Sequence, residues 1–106
     1  MSADFFIHNV NIITPKRVVE DGAVLVRAKK IVRVSHFFDP PEGVPVLDGL
    51  GGWLVPGFID LQCNGGFGRD FTADPGSIAA VAARLPQYGV TSFLPTIVTS
   101  RSTRPF

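Results

Sequence analysis

Two apolar runs with a helical pattern between them constrain this chain most. The runs are "WLVPGFIDLQCN" (53–64) and "GVTSFLPTIVT" (89–99), and between them stands "DPGSIAAVAARL" (74–85). Each run is nearly continuous rather than alternating, which suits a strand buried on both faces. In the middle segment Asp74 is placed as an N-cap and Pro75 at the first helical position. Ile78, Val81, Ala82 and Leu85 fall on one apolar face, and Pro86 should end or kink the helix. Strand, loop, helix and strand in this order predict a βαβ unit with parallel strands and a right-handed crossover. Pro95 lacks a ladder donor and is expected at a bulge or near a strand end. In such architectures ligands bind where strands finish at their carboxyl edge, which puts Gln62, Asn64 and the glycines after them on the functional side. "GGFGRDFTAD" (65–74) reads as loop.

Residues 4–36 are strand material of another kind. "DFFIHNVNII" and "AVLVRAKKIVRVSHF" mix aromatic and β-branched residues around "RAKK" at 27–30. They predict a small antiparallel sheet with a hairpin near 27–30, although neither Gly nor Asn supplies a positive φ there. "DPPEGVPVLDGLGG" (39–52), rich in proline and glycine, reads as a linker with at most a short strand at "VPVLD". The domains expected are residues 1–52, a β-rich module with its linker, and 53–106, the strand–helix–strand part.

Composition excludes several classes. The 106 residues are 45% hydrophobic and 18% charged, which is too apolar for disorder and enough for one small domain. A formal net charge of +1 without a Lys/Arg block argues against nucleic acid as a partner. No apolar run reaches the roughly 18 residues of a membrane span, and the N-terminus has no basic region typical of a signal peptide. The single cysteine, Cys63, has no partner for an internal disulfide, which fits a reducing, cytoplasmic setting.

The motifs "PGFIDLQ", "NGG" and "GVTSFLPTIVTS" resemble the amidohydrolase superfamily. Many of its members carry "PGFIDxHxH" at the end of the first barrel strand. Here Gln62 and Asn64 occupy the two histidine positions. With "NGGFGRDF" and the second strand, this makes the chain similar to the N-acetylglucosamine-6-phosphate deacetylase family, strongly over 53–100 and weakly over 1–50. The resemblance implies an α/β fold, a small β-sandwich module followed by the first βαβ portion of a (β/α)₈ barrel. It implies a carbon–nitrogen hydrolase releasing acetate from N-acetylglucosamine 6-phosphate, a small amino-sugar phosphate. It also implies a divalent metal ion (Zn, Fe or Mn) held by a glutamate of an "HLEGP"-type motif and by later histidines, with a catalytic aspartate later still. None of those motifs occurs in the chain. The expectation is an N-terminal piece of such an enzyme, with no catalytic or metal-binding residue of its own and no activity in isolation. The tail "RSTRPF" is a weaker match. The competing expectation is a non-catalytic remnant or binding module, or a piece of another amidohydrolase.

Individual residues follow from that frame. Two amides cannot replace imidazoles on a metal of the zinc type, but Gln62 and Asn64 can offer donors and acceptors to substrate or water. The competing role is hydrogen bonding to loop backbone. Asp60 either backs the site from one layer out or fixes the strand–loop junction. Gly65 and Gly66, with Gly68, let the backbone approach a ligand. They do not meet the dinucleotide-loop spacing. Cys63 alternates with Gln62 and Asn64 and should pack inward. His8 and His36 lack a ligand cluster and are read as structural, and Phe67, Phe71, Phe93 and Trp53 as packing residues. Strands without barrel neighbours would expose apolar faces, so a homo-oligomer or poor solubility is expected of the isolated chain.

Overall fold

The computed structural model describes residues 4–99, so the "RSTRPF" tail lies outside the described residues. The chain divides into two compact units that part between Pro56 and Gly57.

The first unit is one four-stranded mixed sheet. It contains β1 (Phe5–Ile13), β2 (Val18–Arg27), β3 (Lys30–His36) and β4 (Val46–Leu54), in the spatial order β3-β2-β1-β4. β1/β2 and β2/β3 are antiparallel and β1/β4 is parallel. The segment expected to be a linker is therefore in large part a nine-residue strand. Its glycines mark irregularities within a strand rather than the absence of one. A second sheet packed on the first, as a sandwich requires, is not found among the described residues of this unit.

A line of bulges crosses the sheet. Asn9 in β1, Asp21 in β2 and Leu50 in β4 all have positive φ, at 56°, 46° and 55°. The pairing of β1 with both neighbours shifts on passing Asn9. One extra residue reverses the parity of a strand, because side chains alternate with period two. Phe5 and Ile7 before the bulge thus share a face with Val10 and Ile12 after it, and Val19 joins Val24 and Val26 across Asp21. Gly49 permits the crossing, since a Cβ there would run into the Val10 side chain and the Asn9 carbonyl. On the opposite face Phe6, Ala23 and Leu25 are covered by Phe38 and Val44, from the segment that carries the chain from β3 to β4.

The Asp48 carboxylate ties the bulges of β1 and β4 together. Its Oδ1 accepts the Leu50 N–H at 2.8 Å and the Asn9 amide at 2.9 Å. The Leu50 bond first, then the Asn9 bond, and last the charge of His8 opposite in the register hold its pKa below the usual carboxylate range. A carboxyl whose folded pKa is depressed adds stability above its unfolded pKa of about 3.9, and loses it as pH falls through the folded value. Thermal melts should show Asp48→Ala melting below the wild type at neutral pH, with the gap closing in acid. A gap independent of pH would refute the assignment.

The hairpin between β2 and β3 falls at the expected place. Ala28 and Lys29 form a two-residue loop with φ of 50° and 65°, the backbone of a type I′ turn. Asp4 steadies this poorly suited pair by accepting the Ala28 N–H at 2.9 Å and facing Arg27 at 3.6 Å. Introducing the asparagine–glycine pair that such a turn favours (Ala28→Asn with Lys29→Gly) should raise stability by about 1 kcal/mol, read by urea melts.

The second unit contains β5 (Phe58–Cys63), a small hairpin of β6 (Gly65–Gly66) and β7 (Arg69–Asp70), α1 (Ile78–Arg84) and β8 (Val90–Pro95). β5 and β8 are parallel neighbours, with Asp60 opposite Phe93 and Cys63 opposite Pro95. Pro95 is the last residue of its strand, where a missing donor is tolerated. The α-helix is shorter than the pattern suggested. Pro75–Ser77 precede it as a 3₁₀ turn, and Leu85–Tyr88 follow as another, which Gly89 closes at φ 83°. Its expected apolar face packs as read: Val81 is buried with Cys63 and Phe71, and Ile78, Leu85 and Phe93 surround them. The Asp74 side chain does not cap. Its backbone carbonyl instead accepts the Ser77 hydroxyl at 2.7 Å, while its carboxylate faces Arg69.

Candidate active site

The carboxyl ends of β5 and β8 are joined by backbone bonds that continue past the strands. Thr96 N–H donates to the Cys63 carbonyl at 2.8 Å, and Phe71 N–H to the Asn64 carbonyl at 2.9 Å. The stretch expected as loop is thus partly a hairpin, with Gly65 opposite Asp70 and Gly66 opposite Arg69. Phe67 and Gly68 form its turn, both at positive φ. Gly65 is required by close approach, because a Cβ would meet the Arg69 carbonyl. Phe71, with no exposed surface, roots the hairpin in the core.

Beside this hairpin lies an open groove of about 420 Å³, lined by Asn64, Gly65, Arg69, Asp70, Thr72 and Val98. Of the residues singled out in the sequence, Asn64 and Gly65 line it, and Gln62 and Gly66 do not. The side chains of Gln62 and Asn64 make no hydrogen bonds among the described residues. Asp60 Oδ1 accepts the Gln62 N–H at 3.0 Å, a bond within β5. Cys63 is 5% exposed and packs inward, as strand alternation requires. His8 and His36 belong to the first unit, on β1 and β3.

Arg69, Asp70 and Thr72 went unread in the sequence. Their signal was "GRDFT", a charged pair directly after the glycines that end a buried strand. Asp70 Oδ1 accepts the Thr72 N–H at 2.8 Å, and Thr72 Oγ1 accepts the Val98 N–H at 2.9 Å. Arg69 lies 3.8 Å from Asp74 on the exposed surface, a pair that contributes little.

Among the described residues no three His, Cys, Asp or Glu side chains gather to hold a metal ion. The amide oxygens of Gln62 and Asn64 are poor ligands beside imidazole or carboxylate. The divalent ion implied by the sequence resemblance therefore does not fit the residues present here. What the groove offers is hydrogen bonding.

The chain is a β-rich unit followed by a parallel strand–helix–strand unit, and its relatives in sequence and structure place it in the deacetylase/amidohydrolase class. A D-hydantoinase from Thermus sp. superposes with a TM-score of 0.57 at 27% identity, over 92% of this chain and 21% of that one. No family model matches. Within the class the sequence is more specific. The chain is 63% identical to the N-acetylglucosamine-6-phosphate deacetylase of Rattus norvegicus over 91 residues, covering 74% of this chain and 22% of that protein. The crystal structure of the deacetylase of that name from Pasteurella multocida superposes with a TM-score of 0.83 at 34% identity, over 92% of this chain and 26% of that one. The chain belongs to the N-acetylglucosamine-6-phosphate deacetylase family. It spans about a fifth to a quarter of the length of these relatives.

The geometry makes Phe71 the anchor of the groove. Phe71→Ala should cost about 3–5 kcal/mol in chemical denaturation, as for a fully buried aromatic. The amide resonances of residues 64–72 should lose dispersion first. Unchanged stability would remove Phe71 from that role.

Proposed function

We propose that this chain supplies the opening strand–helix–strand of a (β/α)₈ barrel whose complete form removes acetate from N-acetylglucosamine 6-phosphate. The observation that carries the proposal is the 63% identity to a deacetylase of that name over 91 residues. No helix among the described residues is long and apolar enough to cross a membrane. A cytoplasmic enzyme of amino-sugar metabolism, with a small sugar phosphate as substrate, is the corresponding setting.

In that reading the divalent ion and the catalytic aspartate come from other parts of the enzyme, and this chain's residues act by binding. Asn64 offers an amide at the edge where the substrate would lie, and Asp60 bonds within the strand that leads to it. The apolar residues that β5 exposes, Phe58, Ile59 and Leu61, are suited to cover by further barrel strands. Without that cover self-association is expected of the chain alone.

The test compares two proteins in an acetate-release assay with N-acetylglucosamine 6-phosphate and added Zn²⁺, Mn²⁺ or Fe²⁺. The 106-residue chain should be silent, and a gene product that continues past residue 106 should turn over. Metal-dependent turnover by the short chain, or none by the longer product, would overturn the proposal.

A further inference from the structure

The groove contains an exposed carboxylate, one oxygen of which accepts a backbone hydrogen bond. Asp70 Oδ1 accepts the Thr72 N–H at 2.8 Å. The second oxygen accepts no hydrogen bond from the described residues. Three features hold the backbone around it. Phe71, the next residue, is fully buried. Thr72 is tied through its hydroxyl to the Val98 N–H. Asp70 itself is paired with Gly65 across the hairpin. Asn64, on the same groove, carries an amide that is both donor and acceptor.

An ionised carboxylate accepts hydrogen bonds and donates none. It repels a phosphate and attracts an O–H donor, and charge-assisted bonds to it are stronger than neutral ones. We propose that Asp70, held by Thr72 and accompanied by Asn64, binds a hydroxyl of the sugar ring and so sets which hexosamine phosphate is accepted. The proposal rests on the deacetylase reading for the identity of the sugar. It makes Asp70 a specificity residue on the hydroxyl side of the substrate, with the phosphate directed elsewhere. Arg69 is not assigned to the phosphate, because it shares this groove with Asp70 and faces Asp74.

The experiment has two arms. In the first, the ¹⁵N-labelled chain is titrated with N-acetylglucosamine 6-phosphate and, separately, with inorganic phosphate. The sugar phosphate should shift the amides of Asn64, Asp70 and Thr72, and inorganic phosphate should not. Asp70→Asn keeps an acceptor for the Thr72 N–H, so it preserves the fold while weakening the sugar response about tenfold. No shift with the sugar, or the same shifts with inorganic phosphate, overturns the inference. In the second arm the longer gene product is assayed with Asp70 intact, changed to Asn, and changed to Glu. KM should rise about tenfold in Asp70→Asn with kcat nearly unchanged, and Asp70→Glu should recover part of the loss. An active enzyme whose KM ignores Asp70→Asn overturns this inference and leaves the deacetylase reading standing. A sugar response that depends on Asp70, without acetate release from either protein, does the reverse.

Discussion

The Phe71 N–H reaches the Asn64 carbonyl at 2.9 Å while the Phe71 ring sits in the core with no exposed surface. Everything at the carboxyl edge of the second unit depends on that pair of facts. Burying a phenylalanine side chain is worth about 1.5–3 kcal/mol, more than a typical single hydrogen bond in the hairpin it holds. The hydrogen bond fixes which residue follows the strand into the turn. The ring fixes how deep the turn sits against Cys63 and Val81. Asp70 and Thr72, on either side of the ring in sequence, then have little choice but the rim. The Thr96–Cys63 and Thr72–Val98 bonds extend the same restraint to the segment after β8. Two parallel strands and one hairpin become a single polar edge.

The first unit solves a different problem. A sheet built from "FFIHNVNII" and "VVEDGAVLVR" would, in strict alternation, divide its apolar residues between two faces without concentrating them on either. Bulges at Asn9 and Asp21 shift the parity midway, so that Phe5, Ile7, Val10 and Ile12 gather with Val19, Val24 and Val26. Asn and Asp are the non-glycine residues best suited to positive φ, which is why the shift costs little there. The exposed Leu50 lacks that advantage. Its strained φ is held by the Asp48 carboxylate on one side and by Gly51, at φ 74°, on the other.

These same residues explain what the sequence disclosed and what it hid. The parallel strand–helix–strand order was legible because continuous apolar runs and the Ile78, Val81, Leu85 spacing carry it directly. The inward face of Cys63 followed from alternation with Gln62 and Asn64. β4 was hidden because glycine and proline in "DPPEGVPVLDGLGG" read as punctuation, whereas Gly49 is there to let Val10 pass beneath it. The β6–β7 hairpin was hidden for a similar reason, its strands being two residues each. Missing the hairpin meant missing Asp70 and Thr72, whose interest lies in where Phe71 holds them. Asp74 was read as a side-chain cap from its residue type alone. In the structure its carbonyl takes the Ser77 hydroxyl while the carboxylate faces Arg69.

The residue types at the edge decide what this part of the chain can contribute. A metal-activating strand end needs donors that bind a cation strongly, and Gln62 and Asn64 do not. Amides and an exposed carboxylate instead offer hydrogen bonds to neutral polar groups. A site built to hydrogen-bond a hydroxyl rejects an analogue lacking it by leaving its own polar group unpaired, a larger penalty than an apolar pocket imposes. The cost of that selectivity is rigidity. In the proposed role Asp70 stays exposed at the rim, where the Thr72 bond and the buried Phe71 ring restrain the backbone that carries it. The shape of this edge therefore rests on the same core contacts that fold the unit.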